Sequence, residues 1–119
     1  MENLTIESFK EKVFDYSDNK EWKFIGNKPT VIDFYADWCA PCKTITPILE
    51  ELDVELENVD FFKVDIEAQS ELAQVFQIRS IPSILFIPID DKPQMAMGSQ
   101  TKETYINIMK DTFKLELIG

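Results

Sequence analysis

Two cysteines three residues apart, Cys39 and Cys42, are the only thiols in the sequence and the residues best suited to chemistry. They follow an apolar run typical of a buried strand, and Pro41 between them suits the first turn of a helix. With Cys39 at the helix cap and its backbone non-helical, the two sulfurs can form and reopen a disulfide with little strain. The positive end of the helix would also stabilise a Cys39 thiolate and lower its pKa. We therefore expect a reversible dithiol, with Cys42 the more buried and less acidic thiol.

Three less reactive interpretations of the cysteine pair remain open. A structural zinc ion needs four nitrogen or sulfur ligands, and the sequence has no histidine and no third cysteine, so zinc would require two chains that share their pairs. Two inert buried thiols are the second interpretation, because free cysteine often serves as a small apolar residue. A permanent structural disulfide is disfavoured, since so small a ring constrains the unfolded chain little. The lack of histidine also excludes Ser-His-Asp and Cys-His catalytic sites.

One carboxylate, Asp33, interrupts the apolar run from Thr30 to Ala36, six residues before the first cysteine. A strand this apolar is predicted to be covered on both faces, and burial would raise the pKa of its carboxyl group. From the residues alone, such an aspartate either serves structure or takes part in proton transfer. Asp33 is therefore a candidate proton acceptor, with a structural role as the alternative.

The overall composition predicts one domain, residues 1–119, and argues against nucleic acid and membranes as its partners. Of the 119 residues, 45% are hydrophobic and 29% are charged, which is typical of a folded cytosolic domain. The 12 basic and 22 acidic residues give a net charge of −10, a field that repels nucleic-acid phosphates and anionic lipid. The longest apolar run is far short of the roughly 20 residues that span a bilayer, and the first residues lack a signal-peptide pattern. We therefore expect a cytoplasmic protein without a nucleic-acid partner or a membrane association. A monomer is the expected oligomeric state.

The elements that must position these residues are predicted from apolar periodicity and turn residues. Helical spacing and a Thr5 cap predict a first helix to about Ser17, and a weak alternation from Glu21 to Ile25 predicts a short edge strand. The run around Asp33 is predicted to be a central strand, and the cysteines open a helix that Pro47 should kink. The other predicted elements are strands at 59–64, 83–87 and 93–97, helices at 41–57 and 68–76, and a final helix that includes Tyr105 and Leu115. This alternation predicts a three-layer α/β domain with a mixed central sheet of four to five strands and about four helices.

The segment from Asp33 to Lys43, which reads Asp-Phe-Tyr-Ala-Asp-Trp-Cys-Ala-Pro-Cys-Lys, resembles the active-site segment of the thioredoxin family. The resemblance extends from about Val31 to the C-terminus and implies a thioredoxin-like α/β/α sandwich. Its further matches are the helix-kinking Pro47, the Lys63-Val64-Asp65 strand end, the Arg79-Ser80-Ile81-Pro82 loop and the late Gly98.

Three features depart from the family pattern. Ala40 replaces the usual glycine between the cysteines, the turn from Asp90 to Pro93 replaces a glycine-containing turn, and an extra segment surrounds Trp22 and Phe24. We interpret these two aromatic residues as core or edge-strand residues. Ala40 bears on the reduction potential, and the turn bears on partner contacts, but none of the three removes a reacting atom.

The resemblance implies a role for each member of the site. Cys39 would be the nucleophile, Cys42 the resolving thiol, and Asp33 the general base that acts on Cys42 through a water molecule. Lys63 would lie beside Asp33 as a counter-charge, with a solvated strand residue as the alternative. The residues implied to tune the pair are Ala40, Pro41 and Lys63.

A docking surface for substrate is also implied by the resemblance. The Ile81–Pro82 peptide bond would be cis, although such bonds are usually trans, and the exposed Ile81 backbone would pair with an extended substrate segment. The residues that would border this surface are Trp38, Ile66, Ile81, Pro82, Met97 and Gly98.

The implied activity is that of a thiol:disulfide oxidoreductase that reduces disulfide-containing protein substrates and carries no cofactor or metal of its own. A separate flavin- and NADPH-dependent thioredoxin reductase would regenerate the dithiol, since the sequence has no Rossmann glycine pattern. Two alternatives are an exported disulfide oxidase or maturation protein, and a thioredoxin-fold subunit that acts only by docking or as a chaperone partner. Dependence of activity on Cys39 separates the enzymes from the docking subunit.

Overall fold

The structure, a computed structural model, describes residues 1–114, in which strands and helices alternate. The elements are β1 (Glu2–Asn3), α1 (Ile6–Lys12), β2 (Thr30–Tyr35), α2 (Ala40–Glu55), β3 (Asp60–Asp65), α3 (Ser70–Val75), β4 (Ser83–Ile87), β5 (Gln94–Met97) and α4 (Lys102–Phe113). Leu115, predicted to lie on the final helix, falls outside the described residues. Every helix over this range is too short or too polar to cross a bilayer.

A mixed sheet of five strands, in the order β1-β3-β2-β4-β5, forms the centre of the fold. β3 runs parallel to both β1 and β2, whereas β4 runs antiparallel to β2 and β5. β2 is therefore a central strand, as the apolar run predicted. On β2, Asp33 lies opposite Lys63 of β3 on one side and opposite Ile84 of β4 on the other.

The sheet separates two apolar cores, because successive side chains of a strand point to opposite faces. Val31 of β2 belongs to the core formed with α2 and α4, whereas Ile32 and Phe34 belong to the core formed with α1 and α3. The alternation therefore gives the three layers that the sequence predicted. Asp33 shares the face of Val31, so its side chain points to the layer that contains α2.

The first helix is shorter than predicted. Thr5 caps it as expected, because its Oγ1 accepts a hydrogen bond of 3.1 Å from the Ser8 amide. The predicted continuation to Ser17 is wrong, since the helix ends at Lys12 and the chain then turns. Phe14 remains buried because the turn, rather than a further helical turn, directs it inward. Its amide still bonds the Phe9 carbonyl at 3.2 Å.

The predicted edge strand from Glu21 to Ile25 is wrong, because this segment is irregular. The Trp22 ring lies 4.8 Å from the Phe14 ring and also contacts Phe76, so it covers the core beside α1 and α3. Trp22 and Phe24 are partly buried and pack against this core, so they take neither an edge-strand position nor a wholly buried one. The edge position is taken by β1, whose two residues are too few to produce a periodic pattern.

The other predicted elements are confirmed, with ends displaced by at most two residues, which is the usual scatter of element boundaries. The longest helix, predicted over 41–57, is α2 and includes Pro47 inside it. Its apolar side chains at positions 45, 49 and 52 are buried against the sheet. This packing anchors the helix that carries the cysteines.

We expect Leu49→Ala to lower the free energy of unfolding by about 3 kcal/mol, because it leaves a cavity in a wholly buried part of the core. Val54→Ala on the same helix is the matched control, since Val54 is 83% exposed. It should change stability by less than about 0.5 kcal/mol. Urea unfolding followed by circular dichroism measures both values. Equal losses in the two variants would contradict the assigned packing of α2.

Candidate active site

The two cysteines lie at the junction between the end of β2 and the start of α2. They form a disulfide, with their Cα atoms 5.3 Å apart. Cys39 is the cap of α2 and has an extended backbone, with φ of −84° and ψ of 106°. Its Sγ accepts a hydrogen bond of 3.2 Å from the Cys42 amide. The cap geometry expected from the sequence is therefore present. It places the Cys39 sulfur where the free amides at the start of the helix can stabilise a thiolate.

Both sulfurs are shielded from solvent in this oxidised form. Cys39 is 4% exposed and Cys42 is 2% exposed, so the expected difference in their burial is small. Ala36 completes their apolar surroundings, with Ile66 and Ile81 packed against the group. Ala40 and Pro41, the residues between the cysteines, are exposed. Within residues 1–114, no group of three or more potential ligands is arranged to hold a metal ion.

Asp33 is the one carboxylate among the described residues that is wholly buried. The Thr46 hydroxyl donates a hydrogen bond of 2.6 Å to its Oδ2, while Oδ1 has no hydrogen-bond partner among the described residues. Burial raises the pKa of the Asp33 carboxyl to about 6, because the charged form is poorly solvated there. The Thr46 hydrogen bond lowers that pKa in part. Asp33 therefore changes its charge close to neutral pH, the range in which a proton acceptor is useful.

Two charged side chains also act on Asp33. Lys63, its neighbour on β3, lowers the pKa of Asp33, and Glu50 on α2 raises it. Lys63 forms no ion pair with Asp33, and its Nζ lies 5.5 Å from the centre of the Tyr35 ring. Lys63 thus influences Asp33 through its field, as a counter-charge at a distance, and is itself partly exposed.

A cleft of about 250 Å³ opens beside the second cysteine. Cys42 and Thr46, one helical turn apart on α2, both line it, and Glu50 lines it one turn further along. The rest of the lining is Tyr35, Ala36, Asp37, Lys43 and Pro47. The cleft therefore gives solvent a route to the helix face that bears the second thiol and the hydroxyl bonded to Asp33.

The residues expected to border a docking surface fall into two groups. Trp38 and Met97 are 66% and 67% exposed, so both large apolar side chains are open to solvent. Ile66 and Ile81 instead pack partly buried against the cysteines. Pro82 and Gly98 contact each other through the backbone, because the Gly98 amide donates a 2.8 Å hydrogen bond to the Pro82 carbonyl.

The backbone around the expected loop also agrees with the resemblance. The Ile81–Pro82 bond is cis, and Gly98 has a φ of +83°, a conformation that favours glycine. The buried Ser83 hydroxyl donates a 2.6 Å hydrogen bond to the Ser80 carbonyl. The loop before β4 is thereby tied to the strand that follows it.

Sequence reasoning missed three polar residues of the site. Thr46 and Glu50 could have been found, because they continue the helical spacing that begins at Cys42. Glu67 could not, since no local pattern links it to Trp38. In the structure, the Trp38 indole N–H donates a 2.7 Å hydrogen bond to Glu67 Oε1 and is held beside the cysteines.

Comparisons with known proteins agree with this geometry. The family model described as Thioredoxin matches residues 2–111. A thioredoxin of Borreliella burgdorferi is 46% identical over 112 residues, which cover 93% of this chain and 96% of that protein. A thioredoxin of Mycoplasmoides gallisepticum is 45% identical over 84 residues, which cover 71% of this chain and 84% of that protein.

A solved structure supports the fold. The crystal structure of chloroplastic thioredoxin z superposes with a TM-score of 0.78 and covers 94% of this chain and 93% of its own. The two sequences are 22% identical, so the likeness concerns the fold alone.

We expect Asp33→Asn to stabilise the protein at neutral pH and to lose this effect in acid. The pKa of Asp33 is raised from 3.8 to about 6 on folding, so its contribution to stability is full below pH 3.8 and is lost as pH rises through 6. The corresponding difference is about 3 kcal/mol at pH 8. The amide cannot ionise and avoids this loss.

Urea unfolding of the oxidised protein at pH 8 and pH 4 measures this effect. Asp111→Asn on α4 is the control, since Asp111 is exposed. It should leave the stability difference between the two pH values unchanged. A gain for Asp33→Asn of equal size at both pH values would attribute the effect to packing rather than to ionisation.

Proposed function

This chain belongs to the thioredoxin family and reduces protein disulfides by thiol:disulfide exchange, and we propose that Cys39 is its attacking thiol and Cys42 its resolving thiol. The observation that carries the assignment is the position of the Cys39 sulfur at the cap of α2, where it accepts the Cys42 amide hydrogen. The same amide can donate to a Cys39 thiolate in the reduced protein. Cys42 lies inside the first turn and lacks this cap position.

The proposed reaction transfers two electrons from the dithiol to the substrate in two exchanges. The Cys39 thiolate attacks one sulfur of the substrate disulfide, and the other substrate sulfur leaves as a thiolate. Cys42 then loses its proton and attacks the Cys39 sulfur, which breaks the mixed disulfide and releases the second substrate thiolate. The products are a reduced substrate and the Cys39–Cys42 disulfide.

Asp33 is the proposed acceptor of the Cys42 proton in the second exchange. Its raised pKa, about 6, and its unpartnered Oδ1 within the described residues support this role. The cleft that Cys42 lines supports transfer through a water molecule, because it admits solvent to this helix face. Lys63 and the residues between the cysteines, Ala40 and Pro41, are proposed to tune the pair without touching substrate.

The proposed docking surface consists of Trp38, Ile66, Ile81, Pro82, Met97 and Gly98. The large exposed fractions of Trp38 and Met97 support it. An extended substrate segment would pair with the backbone at Ile81, so main-chain hydrogen bonds would supply affinity for many sequences. Such a surface suits an enzyme that recognises the substrate backbone beside a disulfide rather than one particular side chain.

We also propose a separate flavin- and NADPH-dependent reductase as electron donor, a cytoplasmic site of action and a monomeric state. A dithiol donates electrons continuously only in a reducing compartment that restores it. The net charge of −10 disfavours self-association.

Cysteine variants test the two roles. With Cys42→Ser, attack by Cys39 proceeds but resolution cannot, so a substrate such as insulin should accumulate as a mixed disulfide on Cys39. Cys39→Ser is the matched variant and should trap none. Non-reducing gel electrophoresis with mass spectrometry identifies the linked cysteine.

The rate of insulin reduction by the two variants can contradict these roles. Insulin reduction by either variant at the rate of the parent would contradict the enzymatic roles and favour a subunit that acts by docking alone. Trapping through Cys42 in the Cys39→Ser variant, with none in Cys42→Ser, would reverse the two roles.

A further inference from the structure

The contact between Thr46 and Asp33 joins the helix of the cysteines to the buried carboxylate. Thr46 Oγ1 donates to Asp33 Oδ2 at 2.6 Å, a short distance typical of a hydroxyl bonded to a charged oxygen. A threonine inside a helix can instead bond the carbonyl one turn back, which here would be that of Cys42. The hydroxyl therefore contacts the sheet, across the layer between α2 and β2.

Thr46 also borders the cleft beside the resolving thiol. It is partly exposed and lines this cleft together with Cys42, four residues earlier on the same helix face. Asp33 itself has no exposed surface. Thr46 is thus a residue that both contacts the carboxylate and reaches the space into which the Cys42 side chain opens.

We propose that Thr46 is a positioning residue, whose hydroxyl holds Oδ2 of ionised Asp33 and leaves Oδ1 as the oxygen that receives the Cys42 proton. This inference rests on the proposed role of Asp33 as proton acceptor. The proton passes from the Cys42 sulfur through a water molecule to Oδ1, and the Cys42 electron pair forms the new bond to Cys39. Thr46 keeps its own proton throughout. Asp33 later returns the received proton to solvent.

The hydrogen bond also keeps Asp33 ionised in competition with its surroundings. A donated hydrogen bond favours the charged carboxylate over the neutral acid. The other groups that face Asp33 are Lys63 on β3, which favours the charge, and Glu50 on α2, which opposes it. Ile84 of β4 provides no charge, and Tyr105 of α4 is a neutral phenol whose own pKa Asp33 helps to raise. Thr46 is therefore the group that donates a hydrogen bond directly to Asp33, where burial and Glu50 both disfavour the ionised carboxylate.

Removal of the hydroxyl should shift the pH dependence of resolution. Thr46→Val keeps the shape but cannot donate, so Asp33 should stay protonated to higher pH. We expect the midpoint of the resolution rate to rise by about one pH unit, so that the rate falls about fivefold at pH 6 and about ninefold at pH 5. Stopped-flow measurement of mixed-disulfide resolution between pH 5 and pH 9 gives the profile.

Two further threonine variants provide the controls. Thr46→Ser keeps the hydroxyl and should restore the parent profile. Thr44→Val removes a hydroxyl from an exposed threonine of the same helix, two residues away and on another face, and should leave the profile unchanged. Nuclear magnetic resonance titration of the Asp33 carboxyl provides a second measurement, in which Thr46→Val alone should raise the midpoint.

Asp33→Asn separates this inference from the proposed function. If Asp33→Asn slows resolution but Thr46→Val leaves the profile in place, the role of Thr46 is overturned and that of Asp33 stands. If Asp33→Asn leaves both rate and profile unchanged, the role of Asp33 fails and that of Thr46 fails with it. The proposal would also be overturned if Thr46→Val lowered the resolution rate by the same factor at every pH. A shift of the midpoint that Thr46→Val still causes in the Asp33→Asn background would overturn it as well.

Discussion

The burial of one ionisable carboxylate, that of Asp33, is the constraint on which the site depends. A charge without solvent is costly, and the structure supplies only one direct hydrogen-bond donor, Thr46, among the residues described. The field of Lys63 supplies partial compensation from the neighbouring strand. The remaining cost of the buried charge appears as a pKa of Asp33 raised to about 6, so the same burial that reduces stability suits Asp33 to its proposed role as a proton acceptor.

The fold brings this carboxylate to the cysteines through two elements. β2 carries Asp33 on its α2-facing side because of the alternation of a strand, and α2 starts at the end of the same strand. Helical spacing then aligns Cys42 with Thr46 on the face that lines the cleft. The cap position of Cys39 distinguishes the two sulfurs without any further residue. One strand and one helix thus carry all three groups of the proposed mechanism: the proposed attacking thiol, the proposed resolving thiol and the proposed acceptor of its proton.

Sequence patterns predicted those parts of the molecule that depend on local periodicity. The apolar run from Thr30 predicted the central strand, and the spacing of apolar residues after Cys42 predicted α2. The edge strand expected around Trp22 was wrong, because the aromatic alternation serves packing against Phe14 rather than strand pairing. Long-range contacts such as Trp38 with Glu67 leave no local pattern. The position of Thr46 was visible in the sequence, but its bond to Asp33 depends on how closely α2 approaches the sheet.

The rate at which Cys42 resolves a mixed disulfide, compared between the parent and Asp33→Asn, tests the role of the buried carboxylate most directly. The amide keeps the shape of Asp33 but cannot accept a proton, so at pH 7 the variant should be slower by up to about 30-fold, because a thiol with an ordinary pKa is then only about 3% ionised. The ratio should approach one as pH rises past the pKa of an ordinary thiol, about 8.5, where Cys42 ionises unaided. Equal rates at pH 7 would contradict the account, because Cys42 would then lose its proton without Asp33.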